Sequence, residues 1–184
     1  GEARLTALEQ MQDRVQQAGT LPEWLRRHGL AGAQPLWKQI QVEAGWEDAV
    51  EAILREHLNA IACSDPGKLA EWLHDRPDAK LTVLLADGAA SPPGEGLRAR
   101  IGSVDPVVAT VLDDWLSGVL TAESLDQALQ RRSQLAPGAI LVTPGGDVVS
   151  RTSVTFFAPD QGEHGLLERQ REIEALRAGI AAGG

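Results

Sequence analysis

Both ends of the chain carry a helical seam, and the stretch between them does not. In "EARLTALEQMQDRVQQA", residues 2–18, Leu8, Met11, Val15 and Ala18 fall at 3-4-3 spacing. That is the rhythm of a helix burying one narrow stripe against a second helix. After Gly165, Leu166, Ile173 and Ile180 recur every seven residues, with Leu176 between the last two. Two such helices in one chain satisfy each other only if they run antiparallel and the ends meet. Whatever folds between them must then open and close on one side. The competing reading is a pair of amphipathic helices lying on a domain surface.

The middle of the chain alternates strand and helix. Gly19 ends the first helix and Thr20 caps the next, "LPEWLRRHGL", with Pro22 in its first turn. "LWKQIQVEA" sets Leu36, Lys38, Ile40 and Val42 against Trp37, Gln39 and Gln41, which predicts a strand with one mostly apolar face. "GWEDAVEAILREHL" predicts a helix with Trp46, Val50, Ile53, Leu54 and His57 on one side. "NAIAC" reads as a second strand. Ser64 or Asp65 caps "PGKLAEWLHDRP", whose apolar side is Leu69, Trp72 and Leu73. "KLTVLLADG" is a third strand, too continuously apolar to be half-exposed. "AASPPGEG", with Pro92 and Pro93, is a linker.

Beyond the linker the logic repeats. Asp105 as N-cap and Pro106 at the first helical position open "DPVVATVLDDWLSG", which Gly118 closes. "VLTA", the helix "ESLDQALQRRSQL" and the strand "GAILVTP" follow, and "GGDVVSRTSVTFF" makes a final hairpin. The fold class is therefore α/β. The divisions are an N-terminal arm at 1–19, a connecting helix at 20–34, one half at 35–88, a linker at 89–96, a second half at 97–160 and a C-terminal arm at 161–184. Gly1 and the closing "AAGG" read as linker residues.

Charge and composition exclude several functions. The net charge of −9 opposes general nucleic-acid binding, so any DNA contact must come from a local basic patch. Aromatics are only 4% and tyrosine is absent, which disfavours a stacking platform. Cys63 is the only cysteine, so it forms no disulfide within the chain; its surroundings predict a buried, inert thiol. No Gly-x-x-x-x-Gly-Lys-(Ser/Thr) loop, Gly-x-Ser-x-Gly or His-Glu-x-x-His occurs. His57 and His74 neighbour Glu56 and Asp75 in sequence, but adjacent helical residues do not face each other, and His164 lies in the exit segment. No catalytic, metal or cofactor site is expected. No apolar run reaches the ~18 residues of a membrane span and no secretory signal opens the chain, which points to the cytoplasm.

The order of these pieces resembles the hinge domain of bacterial SMC (structural maintenance of chromosomes) proteins of the proteobacterial type. The residues that carry it are "LWKQIQVEAGWEDAVEAILREHLNAIAC", "GAILVTPGGDVVS" and "GLLERQREIEALR". The resemblance implies two small mixed α/β subdomains and an antiparallel coiled-coil stub formed by the terminal helices. It implies a homodimer in which one half of each chain edge-pairs with the other half of its partner. It also implies a condensin-like chromosome condensation and segregation ATPase whose heads, ATP and kleisin partner belong to the whole protein, in the nucleoid. Glycines usual at the family's dimer seam are replaced here by "SRTSVTFF", leaving Gly145 and Gly146.

The expected dimer interface is Gly145, Gly146, Val148, Val149, Val154, Phe156 and Phe157, with Val83 and Leu85 from the first half. Neighbouring strand residues point to opposite faces, so Phe156 and Phe157 cannot share one core. The candidates for weak DNA contact are Arg26 and Arg27 (with His28) at the arm root, then Arg98, Arg100, Arg131, Arg132 and Arg151, diluted by Asp113, Asp114, Glu123 and Asp126. The alternative function is an α/β small-molecule-binding or enzymatic domain inserted in a coiled-coil signalling protein, with its ligand at the strand C-termini.

Overall fold

Strands in this chain are short, and their packing depends on helices and turns that seal them. The computed structural model describes residues 2–16, 21–63, 65–85, 95–158 and 166–183. The first part holds α1 (Glu2–Gln16), α2 (Leu21–Arg27), β1 (Gln41–Val42), α3 (Glu47–Leu54), β2 (Ile61–Ala62), α4 (Leu69–Trp72) and β3 (Val83–Leu84). The second holds β4 (Ile101–Gly102), α5 (Pro106–Trp115), β5 (Val119–Thr121), α6 (Leu125–Arg131), β6 (Ile140–Val142), β7 (Val148–Val149), β8 (Val154–Thr155) and α7 (Leu166–Gly183). The side chains of Val15 and Leu166, together with Ala18, the Gly19–Thr20 break, Ser64, Pro92, Pro93 and His164, lie outside the described residues.

Three sheets form. β2 and β3 run parallel, with Ile61 opposite Val83. β5, β6, β7 and β8 make a four-stranded sheet in that order, parallel at β5–β6 and antiparallel after it. The third sheet joins the halves, because β1 pairs antiparallel with β4 and sets Gln41 opposite Gly102. One apolar core likewise draws on both sides of the linker, from Leu36, Trp37, Val50 and Leu54 to Leu97, Leu112 and Val142, and takes in Leu167 of α7. Smaller clusters lie under α6 (Ala128, Leu141, Val149) and between α2 and α4 (Trp24, Leu30, Ile61, Trp72).

The cap signals are realised in the backbone. Asp105 accepts the Val107 and Val108 N–H groups with Pro106 next in line, and Ser124 accepts the Gln127 N–H. Gly118 closes the turn after α5 with φ +79.

Several sequence expectations fail. The strand expected from Leu36 is a 3-10 turn over Leu36–Lys38, and only Gln41–Val42 extends. Leu36 and Trp37 are both buried, so their alternation never separated two faces. The helix expected over "GWEDAVEAILREHL" breaks at Arg55, where φ is +49, and continues as a 3-10 segment. That break lets His57 stack on Trp115 of the second half, with ring centroids 4.6 Å apart. β3 is not enclosed, since Leu85 just past it is 60% exposed. Leu73 points to water while Trp72 is buried. Met11 is exposed and Gln12 takes the inner position beside Leu8. Cys63 is half-buried, and its thiol donates to the Asp65 carbonyl.

Candidate functional site

The four-stranded sheet has unlike edges. On the β5 side, the segment Gly96–Arg100 lies against the strand. Gly96 has φ +68, and a Cβ there would run into the Val119 carbonyl and the Leu120 Cα. Only glycine allows so close a backbone approach. On the far side, β8 pairs with β7 and has no other strand among the described residues. This edge therefore keeps unpaired main-chain groups, the usual template for strand addition.

The end of that edge is fixed by a turn. The Gly146 N–H donates to the Thr143 carbonyl, and the Asp147 N–H donates to Thr143 Oγ1. Asp147 Oδ1 in turn accepts the Phe157 N–H at 2.8 Å. Phe157 folds inward onto Gly146, while Phe156 turns outward and is 70% exposed. Val149 is buried in the small core, Val148 and Val154 are half-buried, and Gly145 is exposed. On the other half, Val83 is half-buried and Leu85 exposed. Of the sequence-predicted seam, the side chains reaching water are thus Phe156 and Leu85, with Val83, Val148, Val154 and Phe157 partly so.

Most of the arginines hold internal partners. Arg98 Nε meets Asp113 Oδ1 at 2.7 Å with both side chains 15% exposed, and its Nη1 donates to the Ile101 carbonyl. Arg100 pairs with Glu43 at 2.6 Å and lies over the Trp46 ring. Arg131 donates to the Thr121 carbonyl, and Arg132 donates to the carbonyl of Arg151, whose own side chain is exposed. At the arm root, Arg26 is exposed, and Lys68 Nζ lies near Gly29, just past the end of α2.

Asp75 organises that root. It meets His28 at 2.8 Å and Arg27 at 3.3 Å, and its carbonyl accepts the Trp24 indole N–H. The hydrogen bond with His28, helped by the Arg27 charge, holds the Asp75 carboxyl below its ordinary range. The His28 ring lies 4.4 Å from Trp24, tilted, and 6.2 Å from Trp72, edge-on, so tilted and edge-to-face rings tie α2 to α4. Sequence reading missed this role for Asp75, because Asp75 lies 47 positions from His28.

The arm helices meet. Arg4 pairs with Glu172 at 3.0 Å, Arg177 with Glu9 at 2.6 Å, and Arg169 donates to Gln12 Oε1 at 2.9 Å. Gln12, near the end of α1, thus meets Arg169 near the start of α7. Leu8 of α1 and Leu167 and Ile173 of α7 are buried. Two open clefts flank these elements: one of about 620 Å³ beside Ile140 and Arg151, the other of about 500 Å³ between the arm pair and Trp37–Lys38. Among the described residues, no cluster of His, Cys, Asp and Glu could hold a metal, and no helix is long and apolar enough to cross a membrane.

Comparison with known proteins matches this geometry to one family. The family model described as "SMC proteins Flexible Hinge Domain" matches residues 30–132, more than half of the chain. A "Chromosome partition protein Smc" of Bordetella petrii is 41% identical over 186 residues, covering 98% of this chain and 16% of that protein. One from Burkholderia pseudomallei is also 41% identical, over 187 residues, with the same coverage. The chain therefore spans about one-sixth of the length of these relatives. Among solved structures, an asymmetric dimer of the Geobacillus stearothermophilus SMC hinge domain superposes with a TM-score of 0.71 at 22% identity, covering 98% of this chain and 81% of that one. A Pyrococcus furiosus Smc hinge domain with an extended coiled coil gives 0.55 at 18%, covering 99% and 71%. By the family model over more than half of its length and by relatives 41% identical across nearly all of it, this chain of mixed helices and strands belongs to the SMC hinge-domain family.

Proposed function

We propose that the chain is a pairing module: two copies join through their open sheet edges, and the terminal helices carry the join outward as the base of two long coiled-coil arms. The observation that carries this reading is the β8 edge, which among the described residues has no second strand beside it while Phe156 stands 70% exposed next to it. A partner strand there would pair the free main-chain groups and cover the ring. The complementary surface is the β3 edge of a second copy, where Leu85 is 60% exposed. Each chain supplies both edges, so two contacts close a twofold pair. The solved structure described as an asymmetric dimer of an SMC hinge domain supports the association of two copies.

In the whole protein, the module would link the halves of a chromosome-partition ATPase whose heads, ATP and kleisin lie beyond this chain, in the cytoplasm at the nucleoid. Weak DNA contact falls to Arg26, which is exposed, and to Arg27, which pairs with Asp75 but keeps a side chain 54% exposed, with Lys68 nearby; Arg98, Arg100, Arg131 and Arg132 are engaged within the fold. Such contact is electrostatic and fades at moderate salt. Sedimentation at micromolar concentration tests the pairing. The expected result is a dimer that Phe156→Asp converts to a folded monomer; a monomeric parent chain overturns it.

A further inference from the structure

Two carboxylates lie where burial is costly. Glu47 and Glu51 stand one turn apart on α3, on the same helix face, and each is 8% exposed. α3 carries no basic residue to answer them. The answer comes from the arm. Arg171 Nε of α7 lies 2.7 Å from Glu47 Oε1, an ion pair without hydrogen-bond alignment, while Glu47 Oε2 accepts the Gly45 N–H. Two residues earlier, Arg169 donates to Gln12 Oε1 of α1; burial pushes its guanidinium down, opposed by the charges of Glu51 and Glu168. α7 also buries two apolar side chains, Leu167, which enters the central core, and Ile173.

We propose that this is a releasable charge latch: Glu47 and Glu51 on α3 hold Arg171 and Arg169 on α7, so the arm pair seats on or lifts from the hinge as one body. An apolar seat would lose contact with nothing in return. A charged seat regains hydration for both carboxylates and both guanidinium groups on release, so its two states lie close in free energy. Arg171 is half-exposed, which leaves water access to the pair from one side. Through Gln12, Arg169 ties α1 to the motion of α7. The latch lies within one chain, so it stands or falls separately from the pairing of two copies.

Hydrogen exchange on the whole chain reads it directly. In Arg169→Gln/Arg171→Gln, amides 170–176 of α7 should exchange about tenfold faster or more, while amides 108–112 of α5 keep their parental rates. Adding Glu47→Gln/Glu51→Gln removes the buried charges, leaves an oxygen for the Gly45 N–H, and should return most of the protection. The latch is overturned if the arginine pair changes nothing, if α5 loosens equally, or if neutralising the carboxylates restores nothing.

Discussion

The Phe157 ring occupies the space that a side chain on Gly146 would need: a Cβ there would lie 2.7 Å from Phe157 Cγ and 3.0 Å from the Asp48 carbonyl. Gly146 also has φ +93, so the position excludes other residues twice over. The glycine is kept because of the phenylalanine eleven residues later, and the pair wedges the hairpin against α3. Gly146→Ala should cost about 2–3 kcal/mol of stability by urea unfolding. In a Phe157→Ala background the added cost should shrink to the backbone strain and the close Asp48 carbonyl, read as a non-additive double-mutant cycle.

The two phenylalanines should separate by assay. Phe157→Asp places a charge on a half-buried wedge and should lower the melting temperature of the chain itself. Phe156→Asp changes an exposed ring and should leave the melting temperature of the isolated monomer within about 2 °C of the parent. Thermal scans of both variants at a concentration where each is monomeric make the comparison.

Arg98 should behave as a structural residue. Removing it leaves Asp113 mostly buried without its partner and the Ile101 carbonyl without a donor. Arg98→Ala should therefore cost about 2–4 kcal/mol in denaturant unfolding. A surface arginine serving only a ligand would cost almost nothing.

Acid should act through Asp75. Its carboxyl is held below the ordinary value of 3.8, first by the hydrogen bond with His28 and then by the Arg27 charge. A depressed carboxyl stabilises the fold fully above its unfolded value, and the contribution disappears as pH falls through the lower folded value. The melting temperature of the parent should thus exceed that of Asp75→Asn at neutral pH, with the gap closing below about pH 4. A gap constant down to pH 2 would contradict this.

Arg55 predicts a gain. It sits at φ +49, ψ −127, a conformation suited to glycine, and its side chain makes one exposed hydrogen bond to the Ala52 carbonyl. Arg55→Gly should raise stability by about 1 kcal/mol, the relieved strain outweighing the added chain entropy. Differential scanning calorimetry would show the shift.

Local chemistry was readable wherever it decided the local structure. The Asp105–Pro106 start, the Ser124 cap and the short strands β5 and β6 follow from residues a few positions apart. The failures share one cause: tertiary contacts overrode local pattern. Leu36 and Trp37 both enter the core, so an alternating pattern folded as a turn. A continuous helical stretch broke at Arg55 with His57 stacked on Trp115 across the chain. At the candidate site, sequence singled out the two phenylalanines but not which one faces out. That depends on Gly146 and Asp147, distant in sequence and adjacent in space. The arginine list was read from charge alone and could not foresee the carboxylates and carbonyls that engage most of it.

Gly96 settles a different matter. By letting the chain press against β5, it shuts one side of the four-stranded sheet while β8 remains available. A ribbon open at both sides can keep recruiting strands and run on into a fibril. This sheet has a stopper built into one end. A further strand could join this sheet only on the β8 side, so the sheet by itself cannot lengthen in both directions.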